Sequence, residues 1–318
     1  MAMDPGAQRV LDLLRELGRP PLEQSTVAEA RENMARAREV FGPDPVEVAE
    51  IRTLAAAGPA GGIPLRYYRG IGAPADGAPA LVYFHGGGWV LGDLESHDRV
   101  CRRLANDARC AVVSVHYRLA PEDRFPAAVD DSAAATRWIV EQAAAIGIDP
   151  ARVAVGGDSA GGNLAAVMAL MSRDGALPRL CFQLLIYPAT DMAATYPSHE
   201  RTTSGLLLTT PGMRWFIDLY LKDKQEAYDW RASPLRATSL AGTAPALVFT
   251  AYHDPLCDEG EAYAGRLERD GVRVNRVRFG DQIHGFLTMG RLIPAADTML
   301  DMASAALRGA WAGGAAQA

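Results

Sequence analysis

Residues 153–163 read Val153-Ala-Val-Gly-Gly-Asp-Ser-Ala-Gly-Gly-Asn163, with four glycines crowded around Ser159. The apolar run that precedes them predicts a strand, and "LAAVMALM" after them predicts a helix. A glycine-rich strand-to-helix turn cradles a phosphate, presents a nucleophile, or only reverses the chain. A phosphate loop needs Lys then Ser/Thr after its last glycine, but Gly161 is followed by Gly162-Asn163. A dinucleotide fingerprint needs glycines at the first, third and sixth positions, which 156–162 does not supply. What the stretch does supply is Gly157-x-Ser159-x-Gly161, the pattern of a serine lifted clear of a sheet on a strained turn.

A serine hydroxyl is a poor nucleophile at neutral pH. It needs a base to take its proton and an acid to orient that base. On this topology the partners follow in the order Ser, Asp/Glu, His, at the ends of later strands. Of the histidines only His199, His253 and His284 lie downstream. His199 falls in a long interval between strands, and His253 adjoins the best acid. His284, in "GDQIHGF" past the last core strand, satisfies the order. Asp254 follows the apolar run "PALVFTA", and Pro255 keeps it out of helical geometry. Asp258 and Glu259 are rival acids, more simply read as first-turn carboxylates that complement a helix dipole.

A third element is "YFHGGGWVLGD" at 83–93. Three consecutive glycines after a strand are entropically costly, and they expose backbone N–H groups unshielded by Cβ atoms. That suits an oxyanion site, to which the N–H of Ala160 at the start of its helix contributes as well. His85 is expected to brace this loop rather than to transfer protons. Asp130-Asp131 are read as a helix cap. His97 and His116 have no partner visible in the sequence. Trp89, Tyr187 and Phe216 suit pocket walls or plain packing equally.

Around these motifs short apolar runs alternate with helical patterns. Strands are expected near 80–86, 110–117, 152–157, 180–188, 245–251 and 272–279, and helices at 96–108, 127–145, 160–173 and 258–270. This rhythm predicts an α/β fold: a mostly parallel sheet covered on both faces. "VEVAEIRTL" and "IPLRYYRG" predict an antiparallel opening. Two amphipathic helices precede it, one carrying Val10, Leu13, Leu14 and Leu17. The other starts at the capping box Thr26-x-x-Glu29 and carries Val27, Ala30, Met34, Ala37 and Phe41. The interval 190–236 is too long for an ordinary loop, and its apolar helix from Pro211 is a candidate lid.

Taken together, His85-Gly86-Gly87-Gly88-Trp89, Tyr117-Arg118-Leu119-Ala120-Pro121-Glu122, Gly157-Asp158-Ser159-Ala160-Gly161-Gly162, Asp254-Pro255-Leu256 with Asp258-Glu259-Gly260, and His284-Gly285-Phe286 resemble the hormone-sensitive-lipase-like family of α/β-hydrolase esterases. The resemblance spans two-thirds of the chain, and it implies an α/β-hydrolase fold with a Ser159–His284–Asp254 triad. It also implies an oxyanion hole from the N–H groups of Gly87, Gly88 and Ala160, supported by His85 and Gly86. It further implies a cap formed by residues 1–45 and an insertion at 190–236 on a catalytic domain of 46–318. The implied activity is hydrolysis of short-to-medium acyl esters through an acyl-enzyme, with ester and water as the only partners and no metal or cofactor. The same machinery also cleaves amides and carbamates, and related receptors on this fold lack a complete triad. Cys257 departs from the family pattern, and its thiol beside Asp254 raises the expectation of oxidant-sensitive activity.

Composition narrows the remaining classes. The 318 residues are 49% hydrophobic and 22% charged, ample for a large core. A net charge of −6 argues against general nucleic-acid binding. Four scattered cysteines without metal-ligand spacing suggest free thiols in a reducing, cytoplasmic setting. No signal peptide or membrane-length apolar run is recognised. The last strand, "VRVNRVRF", is read as a sheet edge, open to homodimer pairing unless its arginines discourage it.

Overall fold

The computed structural model describes residues 2–314, so the end of the Gly/Ala-rich tail lies outside the described residues. Helix α1 (Pro5–Glu16) begins where the Asp4 carboxylate accepts the Ala7 N–H at 2.9 Å. Helix α2 (Val27–Phe41) carries the expected capping box: the Thr26 hydroxyl accepts from the Glu29 N–H, and the Glu29 carboxylate accepts from the Thr26 N–H. Strands β1 (Glu50–Gly58) and β2 (Gly61–Arg69) form the antiparallel hairpin.

The alternation then sets in: β3 (Ala78–Phe84), α3 (Asp98–Ala108), β4 (Ala111–Val115), α4 (Ala127–Glu141), α5 (Ala143–Ile146), β5 (Ile148–Asp158), α6 (Ala160–Arg173) and β6 (Gln183–Ile186). The helix expected over 127–145 breaks in two at Gln142. After the interval holding α7 (Pro197–Arg201) and α8 (Thr210–Tyr220) come β7 (Ala246–His253), α9 (Cys257–Arg269), β8 (Val274–Ile283) and α10 (Ala295–Gly314).

The strands form one sheet in the order β1-β2-β4-β3-β5-β6-β7-β8. It is parallel from β4 through β8 and antiparallel at β1 and β2. β8 is an edge strand, as its sequence suggests. Each face carries its own apolar core. α4, α6 and α9 pack on one face, and α3, α10 and the inner side of α1 on the other. Burial on both faces explains why the central strands read as unbroken apolar runs. α6 is buried from Ala160 to Leu170, which explains its lack of a polar side.

Two further features differ from the expectations. No element was expected after His284, yet α10 buries Ala296, Met299, Leu300, Ala303 and Leu307. Asp131 does not cap its helix. Its buried carboxylate instead accepts the Arg118 backbone N–H at 3.0 Å and the guanidinium at 2.8 and 2.9 Å. Among the described residues no helix is long and apolar enough to cross a membrane.

Candidate active site

The turn between β5 and α6 holds Ser159 at φ 56°, ψ −118°. A non-glycine residue there stores about 1–3 kcal/mol of strain, which only an over-determined surrounding maintains. That surrounding is visible. The Ser159 N–H donates to Ile186 O at 2.9 Å, and its carbonyl accepts from the Asn163 N–H at 3.0 Å. A Cβ at Gly157 or Gly161 would overlap the carbonyl oxygen of Phe84, so the flanking glycines let β3 and the turn touch. Trp89, Ser159 and Tyr187, three of the four described non-glycine residues with positive φ, cluster at these strand ends.

Asp254 follows β7 directly, and His284 follows β8 directly. His284 Nδ1 lies 2.7 Å from Asp254 Oδ2, and His284 Nε2 lies 2.9 Å from Ser159 Oγ. The other carboxylate oxygen of Asp254 accepts the Leu256 N–H at 2.8 Å. An ionised carboxylate only accepts, so it places the imidazole proton on Nδ1 and leaves the Nε2 lone pair facing the serine hydroxyl. Asp254 is fully buried, while Ser159 and His284 each keep 8% of their surface exposed.

The Gly86–Gly88 loop leaves the end of β3 beside this row. The Gly86 N–H donates to Asp158 Oδ1 at 3.0 Å, and Tyr83 Oη donates to the same oxygen at 2.8 Å. His97 Nε2 stands 3.0 Å from it, at ion-pair distance though not aligned as a hydrogen bond. Burial pushes the Asp158 carboxyl up, but His97 and Tyr83 outweigh it and leave its pKa below the usual value. Asp158 thus joins the serine turn to the glycine loop, a role its place in Gly157-Asp158-Ser159 did not reveal. His97, which has no visible partner in the sequence, finds one here. His85 stacks on Tyr117 with ring centroids 4.4 Å apart, and its Nδ1 lies 2.9 Å from Gly86 O. Burial, with His97 next, pushes its pKa down to about 3, so the ring is neutral and suited to bracing.

Gly87 and Gly88 have φ of 124° and 60°. The Gly87 carbonyl accepts from the N–H groups of Val90 and Leu91 at 3.1 and 2.8 Å. Among the described residues the Gly87 and Gly88 N–H groups donate to no protein acceptor. Ser159, His284 and these glycines open onto a cavity of about 470 Å³. Its lining is mostly apolar, with Met34 and Phe41 from α2, Leu206 and Leu208 from the 203–209 segment, and Phe216 and Ile217 from α8.

A family model described as alpha/beta hydrolase fold matches residues 81–288. The chain belongs to this family. Within it the chain is a member of the hormone-sensitive-lipase-like esterases, as the five motifs imply. It is 44% identical over 297 residues to the carboxylic ester hydrolase LipN of Mycobacterium tuberculosis, covering 91% of this chain and 78% of that protein. It is 46% identical over 250 residues to an ethyl acetate hydrolase of Pseudomonas putida, covering 77% of this chain and 78% of the relative. The ester-hydrolase EH1AB1 from the metagenome of Lake Arreo, solved with a derivative of bipyridine phosphonate, is 42% identical. It superposes with a TM-score of 0.94 over 98% of this chain and 99% of its own.

The remaining candidates in this α/β hydrolase divide between the cavity lining and its surroundings. Trp89 and Phe216 line the cavity. Tyr187 does not: it is fully buried, its ring packed 4.7 Å from that of His284. Asp258 pairs with Arg201 at 2.8 and 3.0 Å, away from the serine. Glu259 is no helix-dipole ornament. It is buried, and its carboxyl accepts the N–H groups of Thr190 and Asp191 at 2.6 and 3.3 Å. His199 Nε2 lies 3.9 Å from Glu259 rather than near Ser159. The Cys257 thiol is buried, and burial, then Asp254, pushes its pKa up to about 12. The expected oxidant sensitivity loses its basis, since it needs an accessible thiolate.

Proposed function

We propose that this chain is a serine carboxylesterase acting on short-to-medium acyl esters through an acyl-enzyme. The observation that carries the reading is the continuous row from Asp254 Oδ2 through His284 to Ser159 Oγ, with spacings of 2.7 and 2.9 Å, opening onto the cavity. Ser159 Oγ attacks the ester carbonyl as His284 Nε2 takes its proton, and Asp254 stabilises the imidazolium. The oxyanion is met by the N–H groups of Gly87, Gly88 and Ala160, with His85 and Gly86 holding the loop. His284 then protonates the leaving alcohol. In the second half-reaction it takes a proton from water, which attacks the acyl carbonyl, and returns that proton to Ser159 as the acid leaves.

Residues 1–45 and 190–236 act as the cap on this reading. The support is that both contribute to the lining of the cavity onto which Ser159 opens. A cavity of about 470 Å³ suits a small ester, within the usual range for small-molecule sites. The carboxylic ester hydrolase and the ethyl acetate hydrolase to which the chain is similar point the same way. Four free cysteines support a reducing, cytoplasmic setting. The outermost position of β8 supports pairing of two copies through that strand.

Rates on p-nitrophenyl esters of rising chain length, for the wild type and Ser159→Ala, test the proposal. We expect best turnover on the shorter esters and a loss of at least ~10⁴-fold in kcat for the folded variant. Wild-type turnover in a Ser159→Ala protein with a native far-UV spectrum would refute the mechanism. Preference for long-chain emulsions would refute the substrate class.

A further inference from the structure

Helix α2 reaches past the cavity to the backbone of the glycine loop. Arg31 Nε donates to Val90 O at 3.0 Å, and Nη2 donates to Ala120 O at 3.1 Å. Nη1 and Nη2 together grip both carboxylate oxygens of Glu122 at 2.7 Å. Val90 closes the turn that begins at Gly87. Its N–H bonds back to Gly87 O, and the carbonyl of the intervening Trp89 accepts the Ala120 N–H at 2.8 Å. Arg31 therefore holds this turn by the Val90 carbonyl and steadies the Ala120 peptide that holds the Trp89 carbonyl.

The same helix presents Ala30, Met34, Ala37 and Phe41 to the cavity, one residue to the side of Arg31 or on following turns. An occupant that presses on α2 thus presses on the residue that fixes the glycine turn. The Glu122 side chain is 58% exposed, so the pair adds little stability. Its two-point grip instead fixes the plane of the guanidinium and so aims Nε at Val90.

We propose that Arg31 is a positioning residue for the oxyanion site: it sets the Gly87–Val90 turn, so that docking of α2 places the Gly87 and Gly88 N–H groups. The inference rests on the Ser159 reading above. A residue that only fastened the cap would alter stability, or KM for longer esters, and leave turnover of a small ester intact. A residue that sets the N–H groups alters kcat even for an ester too short to touch α2.

The experiment uses the full chain with Arg31→Met, Arg31→Lys and Glu122→Gln, assayed on p-nitrophenyl acetate and inhibited by a trifluoromethyl ketone. The ketone forms a tetrahedral oxyanion adduct on the serine. For Arg31→Met we expect kcat to fall ~10-fold or more, short of the ~100-fold cost of losing an oxyanion donor outright. KM should stay within about twofold, and ketone affinity should weaken in parallel with kcat. Arg31→Lys should recover part of the loss and Glu122→Gln should show a smaller loss of the same kind. Arg9→Met, which breaks a solvent-side pair with Glu16 on α1, is the cap control and should behave as wild type. Unchanged kcat and ketone affinity in Arg31→Met overturns the inference. If that variant does not fold, unchanged values in Glu122→Gln overturn it. Turnover by folded Ser159→Ala would overturn the site reading itself, whereas its loss alongside an unaffected Arg31→Met leaves that reading standing and removes only this inference.

Discussion

The cavity has two walls built by different rules. On the sheet side, Ser159 and Asp254 follow β5 and β7, which are packed between two buried cores, and His284 follows the buried end of the edge strand β8. On the side of the proposed cap the lining comes from α2, the 203–209 segment and α8, with half-buried Met34, Leu206, Phe216 and Ile217. Proton transfer requires reacting atoms held to a fraction of an ångström, which packed strands supply. Accommodation of an acyl chain requires apolar surface of about the right shape, which tolerates substitution. On the proposed reading the chemistry and the selectivity are therefore separable, except where a residue such as Arg31 crosses between them.

The sharpest way to break this division is on the sheet side. Asp254→Asn keeps the shape but favours the wrong imidazole tautomer, and we expect kcat to fall ~10⁴-fold. Asp258→Asn, nearby in sequence, removes a partner of Arg201 instead. It should leave kcat intact and cost no more than about 1 kcal/mol of stability, read as a small fall in Tm. Equal losses from the two would show that the acid is misassigned. Gly88→Ala comes next. Its φ of 60° strains any side chain, and its Cβ would run into the Phe216 ring. Displacing that N–H should lower kcat ~10²-fold with the fold retained by circular dichroism. Adding Phe216→Ala restores the space but not the backbone strain, so recovery should be partial.

The same division governs what was legible in the sequence. The sheet-side groups lie in short motifs with local causes: Gly157 and Gly161 because the turn touches Phe84 O, and Pro255 because Asp254 must stay out of the helix. What joins those motifs was not legible. Asp158, His97 and Arg31 act on residues far away in sequence, and no spacing rule links positions 31 and 90. Tyr187 misled because an aromatic beside a strand end serves equally as a wall or as a support, and only its full burial under His284 separates the two. Helix α10 is a different kind of miss. Ala296, Met299, Leu300, Ala303 and Leu307 carry a plain helical period, but no motif drew attention to them.

On the cap side the expected effects are smaller and appear in a different constant. Phe216→Ala opens the wall above the glycine loop without touching the triad. We expect KM for hexanoate or octanoate esters to fall a few-fold while kcat for acetate stays within about twofold. A large loss of acetate turnover would mean that Phe216 props the glycine loop, and the cap would then share in the chemistry.

Glu259 tests the seam between the walls, because it grows from α9 on the sheet side and holds Thr190 and Asp191 at the start of the cap interval. Burial, reinforced by Asp191 and Asp254 and opposed by the two N–H groups, raises its pKa to about 8. In the unfolded chain a glutamate titrates near about 4.3. Between those values the folded state keeps a proton that the unfolded state releases. The contribution is fully present below the unfolded pKa and is lost as pH rises through about 8. Glu259→Gln keeps the acceptor and removes the titration. The Tm of the variant minus that of the wild type should therefore increase from about pH 5 to about pH 9, by ~2–4 °C for each kcal/mol that the carboxylate costs. Glu259 lines the same cavity as Ser159 and His284 but bonds to the Thr190–Asp191 segment, so two separable walls require that kcat for acetate does not follow the same curve. A pH-independent Tm difference would mean that Glu259 ionises normally. A kcat that tracks it would mean that the seam also governs the triad, and the separation of the two walls would fail at that point.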